Sequence, residues 1–250
     1  MLMATHFIFD FETIGTNSRK IPAIDVSYTT FEWKRFTENP YTFKELVLGM
    51  EQAKFDIKDQ MTNHGCAYKK SDLDWWLSQP PELRKNLKPS ANDLSASQFI
   101  EKLVDYLRSS NKIECWWSRG NTFDPIILDR IAEDAGKQSL LSQYLKHYAV
   151  RDTRTFIDAK FNFDIDPNGF IPVSNVEKWN YNFNAHDSKH DVAADILRLQ
   201  SITRAEHDLE ITEIWNYKYQ SKNFENTKSL LVRQCMVATV VGHIQNRVLI

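Results

Sequence analysis

Three short segments carry carboxylates in patterns that can support metal-dependent chemistry. The first is Asp10-Phe11-Glu12, at the end of an apolar run that is typical of a strand. Because side chains of a strand alternate between its faces, Asp10 and Glu12 point the same way. Neighbouring carboxylates repel unless a cation lies between them, and Mg²⁺ binds proteins through one or two carboxylates. The alternative is a pair of solvated acids in a turn.

The second segment is Asn121-Thr122-Phe123-Asp124, which closely follows a short apolar strand predicted over residues 113–118. Asp124 would stand at the start of the next helix. It is therefore either a further metal-binding carboxylate or an acid favoured at that position by the helix dipole.

The third segment is HDSKHD, at residues 186–191. His186 and Asp191 are five residues apart, about 140° around an α-helix, so they would not share a helical face. We therefore place His186 on the loop before the helix, where it can reach over Asp191. Two alternatives stay open: a zinc pair formed with His190, and a solvated acidic stripe of Asp187, Asp191 and Asp195.

The elements that must position these segments begin with strands and then alternate strands with helices, which predicts an α/β fold with an antiparallel start. Strands are expected at residues 3–10, 24–33, 42–48, 113–118 and 152–157. Helices are expected at residues 71–79, 95–109, 125–135 and 188 to about 219, and residues 56–70 are ambiguous. The predicted domain covers residues 1–228, followed by a tail of unknown role at 229–250.

Composition is that of an ordinary soluble globular protein. Of the 250 residues, 42% are apolar and 26% charged, and the formal net charge is −2. This charge argues against broad clamping of duplex DNA, although an enzyme that holds one strand end needs few phosphate contacts. No apolar run is long enough to span a bilayer, so no membrane partner is expected.

The three cysteines, Cys66, Cys115 and Cys235, are widely separated and have no metal-ligand spacing. Reduced thiols in a cytosolic protein are expected. The N-terminal residues do not have the pattern of a signal peptide. The expected location is the cytoplasm, or the host cytoplasm if the protein is phage-encoded.

Together, the three segments resemble the three motifs of the DEDDh 3′–5′ exonucleases, a branch of the ribonuclease H-like fold. DFETIG resembles the first motif, NTFD the second, and HDSKHD the third in its His-x4-Asp form. The segments DLDWWLSQPPELRKN, RDTRT and AHDSKHDVAADIL also look like the exonuclease A enzymes of T-even phages, and related bacterial exoribonucleases share Trp-Trp-x-x-Gln. The resemblance covers most of residues 4–205 and implies a central mixed five-stranded sheet with helices on both sides.

The resemblance also implies a mechanism. Two divalent cations, Mg²⁺ or Mn²⁺, would be held by Asp10, Glu12, Asp124 and Asp191, and they would serve a two-metal hydrolysis that releases nucleoside 5′-monophosphates. His186 is expected to be the general base, since an ordinary histidine pKa of about 6.5 suits proton transfer near neutral pH.

Four further residues are expected to contact the substrate. In this family the residues after the acid pair recognise a free 3′-OH, which makes Thr13 and Ile14 candidates. Ile14 is either a wedge against the terminal base or a core residue. Asn121 and Phe123 belong to the second motif, and core packing is the alternative for Phe123.

Three other side chains near the motifs have two interpretations each. Adjacent helical residues do not share a face, so at most one of Trp75 and Trp76 is fully buried. The exposed one would stack on a base, and the alternative is partial burial of both in the core. Arg119 is either a phosphate contact or a solvated charge.

We predict a 3′–5′ exonuclease that acts on the 3′ end of single-stranded DNA. RNA is the alternative substrate, because nothing in the motifs distinguishes the sugar. A zinc hydrolase and an inactive nuclease fold that only binds nucleic acid are the alternatives of other classes. The presence of all four acids and the histidine argues against the inactive fold. Homodimers occur among relatives, and the sequence leaves the oligomeric state open.

Overall fold

A mixed sheet forms the centre of the protein. In the computed structural model, which describes residues 4–16, 19–160 and 183–205, the sheet has five strands. They are β1 (Thr5–Thr13), β2 (Ala23–Glu32), β3 (Glu51–Lys54), β4 (Ile113–Ser118) and β5 (Val150–Asp152). Their order is β3-β2-β1-β4-β5, with antiparallel pairing from β1 to β3 and parallel pairing from β1 through β4 to β5. The predicted mixed five-stranded sheet is confirmed.

Helices flank this sheet. In the described ranges they are α1 (Arg35–Glu38), α2 (Phe43–Gly49), α3 (Ile57–Asn63), α4 (Lys70–Ser78), α5 (Pro81–Arg84), α6 (Ala96–Ser109), α7 (Asp124–Asp134), α8 (Gln138–Leu141), α9 (Thr153–Lys160) and α10 (Ser188–Ala205), with 3₁₀ turns at Lys85–Leu87 and His147–Ala149. Across these residues, every helix is too short or too polar to traverse a bilayer.

The side chains of β1 alternate between two apolar layers. Phe7, Phe9 and Phe11 are buried in the layer that contains residues of α6 and α7. Ile8 faces the opposite layer, which it shares with Trp117 and residues of α10. Side chains alternate between the two faces of a strand, so Asp10 and Glu12 lie on the same face of β1 as Ile8. The two acids therefore face α10.

Helix α10 lies across β1 and β2. Ala193 and Ala194 are fully buried, and such small side chains allow a helix backbone to approach the sheet closely. Val192 and Ile196 fill the apolar layer around Ile8. The N-terminal turn of α10 is thereby fixed beside the acidic end of β1.

Two predicted strands are wrong in type or extent. Residues 42–48 were predicted as a strand but form α2, because Thr42 and Glu45 make a reciprocal capping box that starts a helix. The third strand follows at Glu51–Lys54. Residues 152–157 are the end of β5 and the start of α9. There the carboxylate of Asp152 accepts hydrogen bonds from the backbone N–H groups of Arg154 and Thr155, which favours the helix.

The first strand, predicted over 3–10, extends three residues further to Thr13. The other predicted elements within the described residues are confirmed to within one or two positions. The ambiguous stretch 56–70 contains α3, which Asp56 caps by accepting a hydrogen bond from the N–H of Asp59. Helix α10 begins at Ser188 as predicted. Its predicted continuation to about 219, the domain boundary at 228 and the tail at 229–250 lie outside the described residues.

Candidate active site

Three carboxylates converge where β1 meets α10. Asp10 and Glu12 end the strand on its α10 face, and Asp191 lies in the first turn of the helix. One oxygen from each of these side chains lies within 4.8 Å of the others. The acid pair at the end of β1 and Asp191, which lies far along the chain, thus form one group, as the motifs predicted.

Asp124 reaches the same strand from the other side of the sheet. Strand β4 pairs with β1 only as far as Ile8, so the N–H of Phe11 has no strand partner on that side. The side chain of Asp124, at the start of α7, accepts a hydrogen bond from this N–H at 3.2 Å. Asp124 is buried and is thereby fixed next to the acid pair.

The four acids repel one another in a poorly hydrated environment. Burial, followed by the charges of its acidic neighbours, raises the pKa of Asp10 well above its ordinary value. The same causes raise the pKa of Glu12 to about 9. Burial, followed by the charge of Asp195, raises the pKa of Asp191 to about 7 although the N–H of His186 opposes the shift. Burial is also the main reason that the pKa of Asp124 rises to about 7. Carboxylate oxygens and surplus negative charge are what hard divalent cations require, so these residues fit such ions.

A buried cluster of charged side chains lies one helical turn after Asp191. Asp195, one turn later in α10, accepts hydrogen bonds from Arg119 at 2.8 Å, Arg198 at 2.6 Å and the hydroxyl of Thr153 at 2.9 Å. Although burial acts in the opposite direction, the two guanidinium groups lower the pKa of Asp195. The interpretation of Asp195 as part of a solvated acidic stripe is therefore wrong. Arg119 is an ion-pair partner of Asp195 and is not a solvated charge.

Sequence reasoning missed a further buried carboxylate, Asp25. It pairs across the strands with Glu12 and accepts hydrogen bonds from Ser188, Gln52 and Asn86. Ser188 is the first residue of α10, so this contact ties the helix start to β2. An acid among apolar and hydroxylated residues, far from the other acid of β2 at its end, Glu32, was the available signal.

His186 lies on the loop before α10, as predicted. Its φ of 65° is in the left-handed region, and its backbone N–H donates to Asp191 at 2.8 Å. The imidazole meets the ring of Trp75 edge-on, with centroids 5.0 Å apart. Partial burial of the ring lowers the pKa of His186, although the residue as a whole is exposed.

The zinc alternative finds no support in this geometry. The ring of His190 packs against Phe43 and Phe183, and its Nδ1 accepts a hydrogen bond from the N–H of Asn184. In the described part of the chain, the one group of three closely spaced metal-binding side chains contains carboxylates alone.

The loop after the acid pair is held by α4. The indole of Trp76 donates to the carbonyl of Thr13 at 2.8 Å, and the hydroxyl of Thr13 donates to the carbonyl of Gly15 at 2.6 Å. Gly15 has a φ of 116°, and a Cβ there would lie 2.9 Å from Asp72, so glycine is required. The side chain of Ile14 is only 2% exposed and packs in the core, which favours its packing role over a wedge against a base.

The two tryptophans divide their roles. Trp76 is 3% exposed, whereas Trp75 is 44% exposed. The rule that at most one is fully buried is confirmed, and partial burial of both is wrong. The ring of Trp75 contacts His186.

The remaining substrate candidates lie at the start of α7. Phe123 packs against the core cluster on the α6 side, so its core role is the one that the structure favours. The N–H of Asn121 donates to Asp152 at 3.1 Å. The side-chain oxygen of Asn121 is buried and has no hydrogen-bond partner within the described ranges.

Comparison with known proteins places this geometry in a family. The model of the 3′-5′ exoribonuclease Rv2179c-like domain matches residues 5–196. The chain belongs to this exonuclease family. An exodeoxyribonuclease of Enterobacteria phage T4 is 34% identical to this chain over 220 residues. The match covers 82% of this chain and 91% of the phage protein.

Solved structures with the same fold are those of exonuclease I. One, described as suggesting how processivity is achieved, has a TM-score of 0.53 and 15% identity over 88% of this chain. Another, E. coli exonuclease I in complex with a dA16 oligonucleotide, has a TM-score of 0.52 and 14% identity over 88% of this chain. The match covers 44% of each exonuclease I chain, so this chain spans less than half the length of those proteins. These likenesses support the ribonuclease H-like fold.

The family relationship carries the coarse functional conclusion. The protein is a 3′–5′ exonuclease, a hydrolase of phosphodiester bonds, and its family depends on divalent metal. The carboxylates of Asp10, Glu12 and Asp191 form a group that could hold such a metal ion.

We expect Asp10→Asn to stabilise the metal-free protein at pH 8. The raised pKa values mean that the folded state retains protons that the unfolded chain releases above about pH 4, so stability falls as the pH rises toward 9. Removing one repelling charge should recover about 1–2 kcal/mol, measured by thermal unfolding in EDTA. Asp195→Asn is the control, since it leaves two guanidinium groups without a carboxylate and should lower the melting temperature. A lower melting temperature for both variants would contradict the repulsion argument.

We expect Asp25→Ala to destabilise the fold by about 1–3 kcal/mol, because three buried or half-buried donors lose their acceptor. Urea unfolding measures the change. Glu51→Ala on β3 removes an exposed ion pair with Lys102 and should alter stability by less than about 1 kcal/mol. Equal effects of the two substitutions would show that Asp25 does not anchor α10.

Proposed function

We propose that the exonuclease shortens single-stranded DNA from its 3′ end and releases nucleoside 5′-monophosphates. The observation that carries this proposal is the convergence of Asp10, Glu12 and Asp191 within 4.8 Å, with Asp124 bonded to the same strand. We further propose that these four acids hold two divalent ions, Mg²⁺ or Mn²⁺.

Cleavage of a phosphodiester needs an attacking water on one side of phosphorus and a stabilised departing 3′ oxygen on the other. Bound divalent cations supply acidification of water and charge stabilisation of the departing oxygen at such sites. The protein's own contribution is to keep Asp10, Glu12 and Asp191 close enough together to bind the same ions. Asp124, anchored to the N–H of Phe11, would hold the ion on the β4 side.

His186 is proposed as the general base. Its backbone N–H donates to Asp191, and its ring packs edge-on against Trp75. Partial burial lowers the pKa of His186, which favours the neutral ring. A neutral imidazole can accept the proton of the attacking water.

Recognition of the strand end is proposed for the loop that follows β1. Thr13 is fixed through its carbonyl by Trp76 and lies directly after Glu12, so its neighbourhood is suited to contact a terminal 3′-OH. Asn121, three residues before Asp124, offers a buried oxygen that has no hydrogen-bond partner among the described residues.

DNA is the first choice of substrate. The phage T4 relative is named an exodeoxyribonuclease and shares 34% identity. RNA is the second candidate, because the family description is that of an exoribonuclease. The side chains that contact the sugar would decide between the two.

We also propose that residues 1–228 form the exonuclease domain, that 229–250 is a separate tail, and that the protein acts in the cytoplasm. The family match over residues 5–196 and the unpaired thiols of Cys66 and Cys115 support this view.

The first test is digestion of 5′-labelled single strands, one of DNA and one of RNA with the same sequence, in Mg²⁺. We expect a ladder that shortens on DNA and is absent with Asp10→Ala. A ladder on RNA alone would keep the mechanism and change the substrate. If neither strand is shortened by folded wild-type protein, the proposed function is wrong.

The second test concerns the base. His186→Ala should lower kcat by ~10²–10⁴-fold, the usual contribution of a general base. His147→Ala is the matched control, because that histidine lies in a distant exposed 3₁₀ turn. Single-turnover kinetics at saturating DNA measure the difference, and an unchanged kcat for His186→Ala would remove it from the mechanism.

A further inference from the structure

Arg154 is a half-buried arginine whose guanidinium has no hydrogen bond or ion pair with any described residue. It lies in the first turn of α9, and its Nε is buried without a partner there. Burying a cationic group without compensation is unfavourable, so such a group in a functional region indicates an anionic ligand.

The position of Arg154 is next to the acid cluster. A Cβ on Gly120 would lie 3.6 Å from its Nη1, so the guanidinium lies beside the turn that follows β4. Asp124 begins the helix after that turn. Burial raises the pKa of Asp124, and the charge of Arg154 partly opposes this effect. The cation and the carboxylate are therefore electrostatic neighbours.

The segment that carries Arg154 is rigidly connected to the second motif. One oxygen of Asp152 accepts the N–H of Arg154 at 2.8 Å, and the other accepts the N–H of Asn121 at 3.1 Å. This carboxylate fixes the start of α9 against the turn at Gly120. The unpartnered oxygen of Asn121 and the unpartnered Nε of Arg154 thus belong to one locally ordered region.

Other arginines of the described chain are engaged. Arg119 and Arg198 pair with Asp195, and Arg130 pairs with Asp134. Arg151, three residues before Arg154, donates to the carbonyls of Tyr148 and Val150 and is exposed. Arg154 differs because its donors remain available beside Asp124.

We propose that Arg154 is a catalytic residue that binds a phosphate of the substrate strand beside Asp124. A planar guanidinium matches two phosphate oxygens and stays charged at any physiological pH. Its positive charge also offsets the anion that enters a site already rich in carboxylates. This inference rests on the proposed exonuclease function, and it adds a phosphate contact outside the acids and the histidine.

The test compares Arg154→Ala, Arg154→Lys and Arg151→Ala on a 5′-labelled single strand that the wild type digests. We expect Arg154→Ala to lower kcat/KM by ~10–100-fold, the usual range for a hydrogen bond to a charged group. Arg154→Lys should recover part of the loss, since it restores the charge without the planar fork. Arg151→Ala should equal the wild type.

Salt dependence separates a phosphate contact from a structural role. Plots of log kcat/KM against log salt, from about 50 to 200 mM, should be shallower by about 0.7 for Arg154→Ala, because one single-strand phosphate contact is lost. The slope should be unchanged for Arg151→Ala. A lower kcat/KM with the wild-type slope would mean that Arg154 only positions Asp124, and this result would overturn the proposal.

A neutral methylphosphonate at the second linkage from the 3′ end identifies the phosphate. If Arg154 binds this linkage, the neutral substrate slows the wild type and leaves Arg154→Ala unaffected. If it binds the scissile phosphate, the neutral linkage affects both enzymes equally while the salt slopes still differ. Wild-type activity of folded Arg154→Ala overturns the inference alone, whereas an inactive wild type overturns the proposed function.

Discussion

Repulsion among four poorly hydrated carboxylates is the constraint on which the rest of the site depends. Burial and the charges of acidic neighbours raise the pKa of Asp10 and of Glu12, and burial and the charge of Asp195 raise the pKa of Asp124 and of Asp191. The fold must therefore hold the four acids together against unfavourable charge. Specific bonds do this: the N–H of Phe11 holds Asp124, and the N–H of His186 holds Asp191. The site is therefore stabilised by cations, and the apo fold gives up stability for function.

Two arginines beside the acid cluster pair with Asp195, one helical turn after Asp191. Arg119 and Arg198 meet Asp195, one helical turn from Asp191, and their positive charges also act on Asp191. An arginine bonded directly to Asp191 would compete with metal for the same oxygens. The pairing of the arginines with Asp195 reduces the local excess of negative charge one helical turn away from Asp191, whose carboxylate belongs to the group that could hold a metal ion.

Local rules predicted the parts of the site that depend on local geometry. The period of two along a strand placed Asp10 and Glu12 on one face, and the helical period placed His186 on a loop. The pairing of Glu12 with Asp25 depends on strand register, and the contact of Asp195 with Arg119 joins distant segments. Neither follows from nearby residues. The strand predicted at 42–48 failed because its β-like composition was weaker than the capping box at Thr42.

Helix α4 contacts two parts of the candidate active site. Its Trp76 holds the carbonyl of Thr13, directly after the acid pair, and its neighbour Trp75 packs against His186. Adjacent residues of one helix thus contact both the loop proposed for the strand end and the proposed base. A displacement of α4 would move both contacts together, so the loop after the acid pair and the ring of His186 are mechanically linked through this helix. This coupling gives a physical reason for two consecutive tryptophans at a position where the fold alone needs only the buried one.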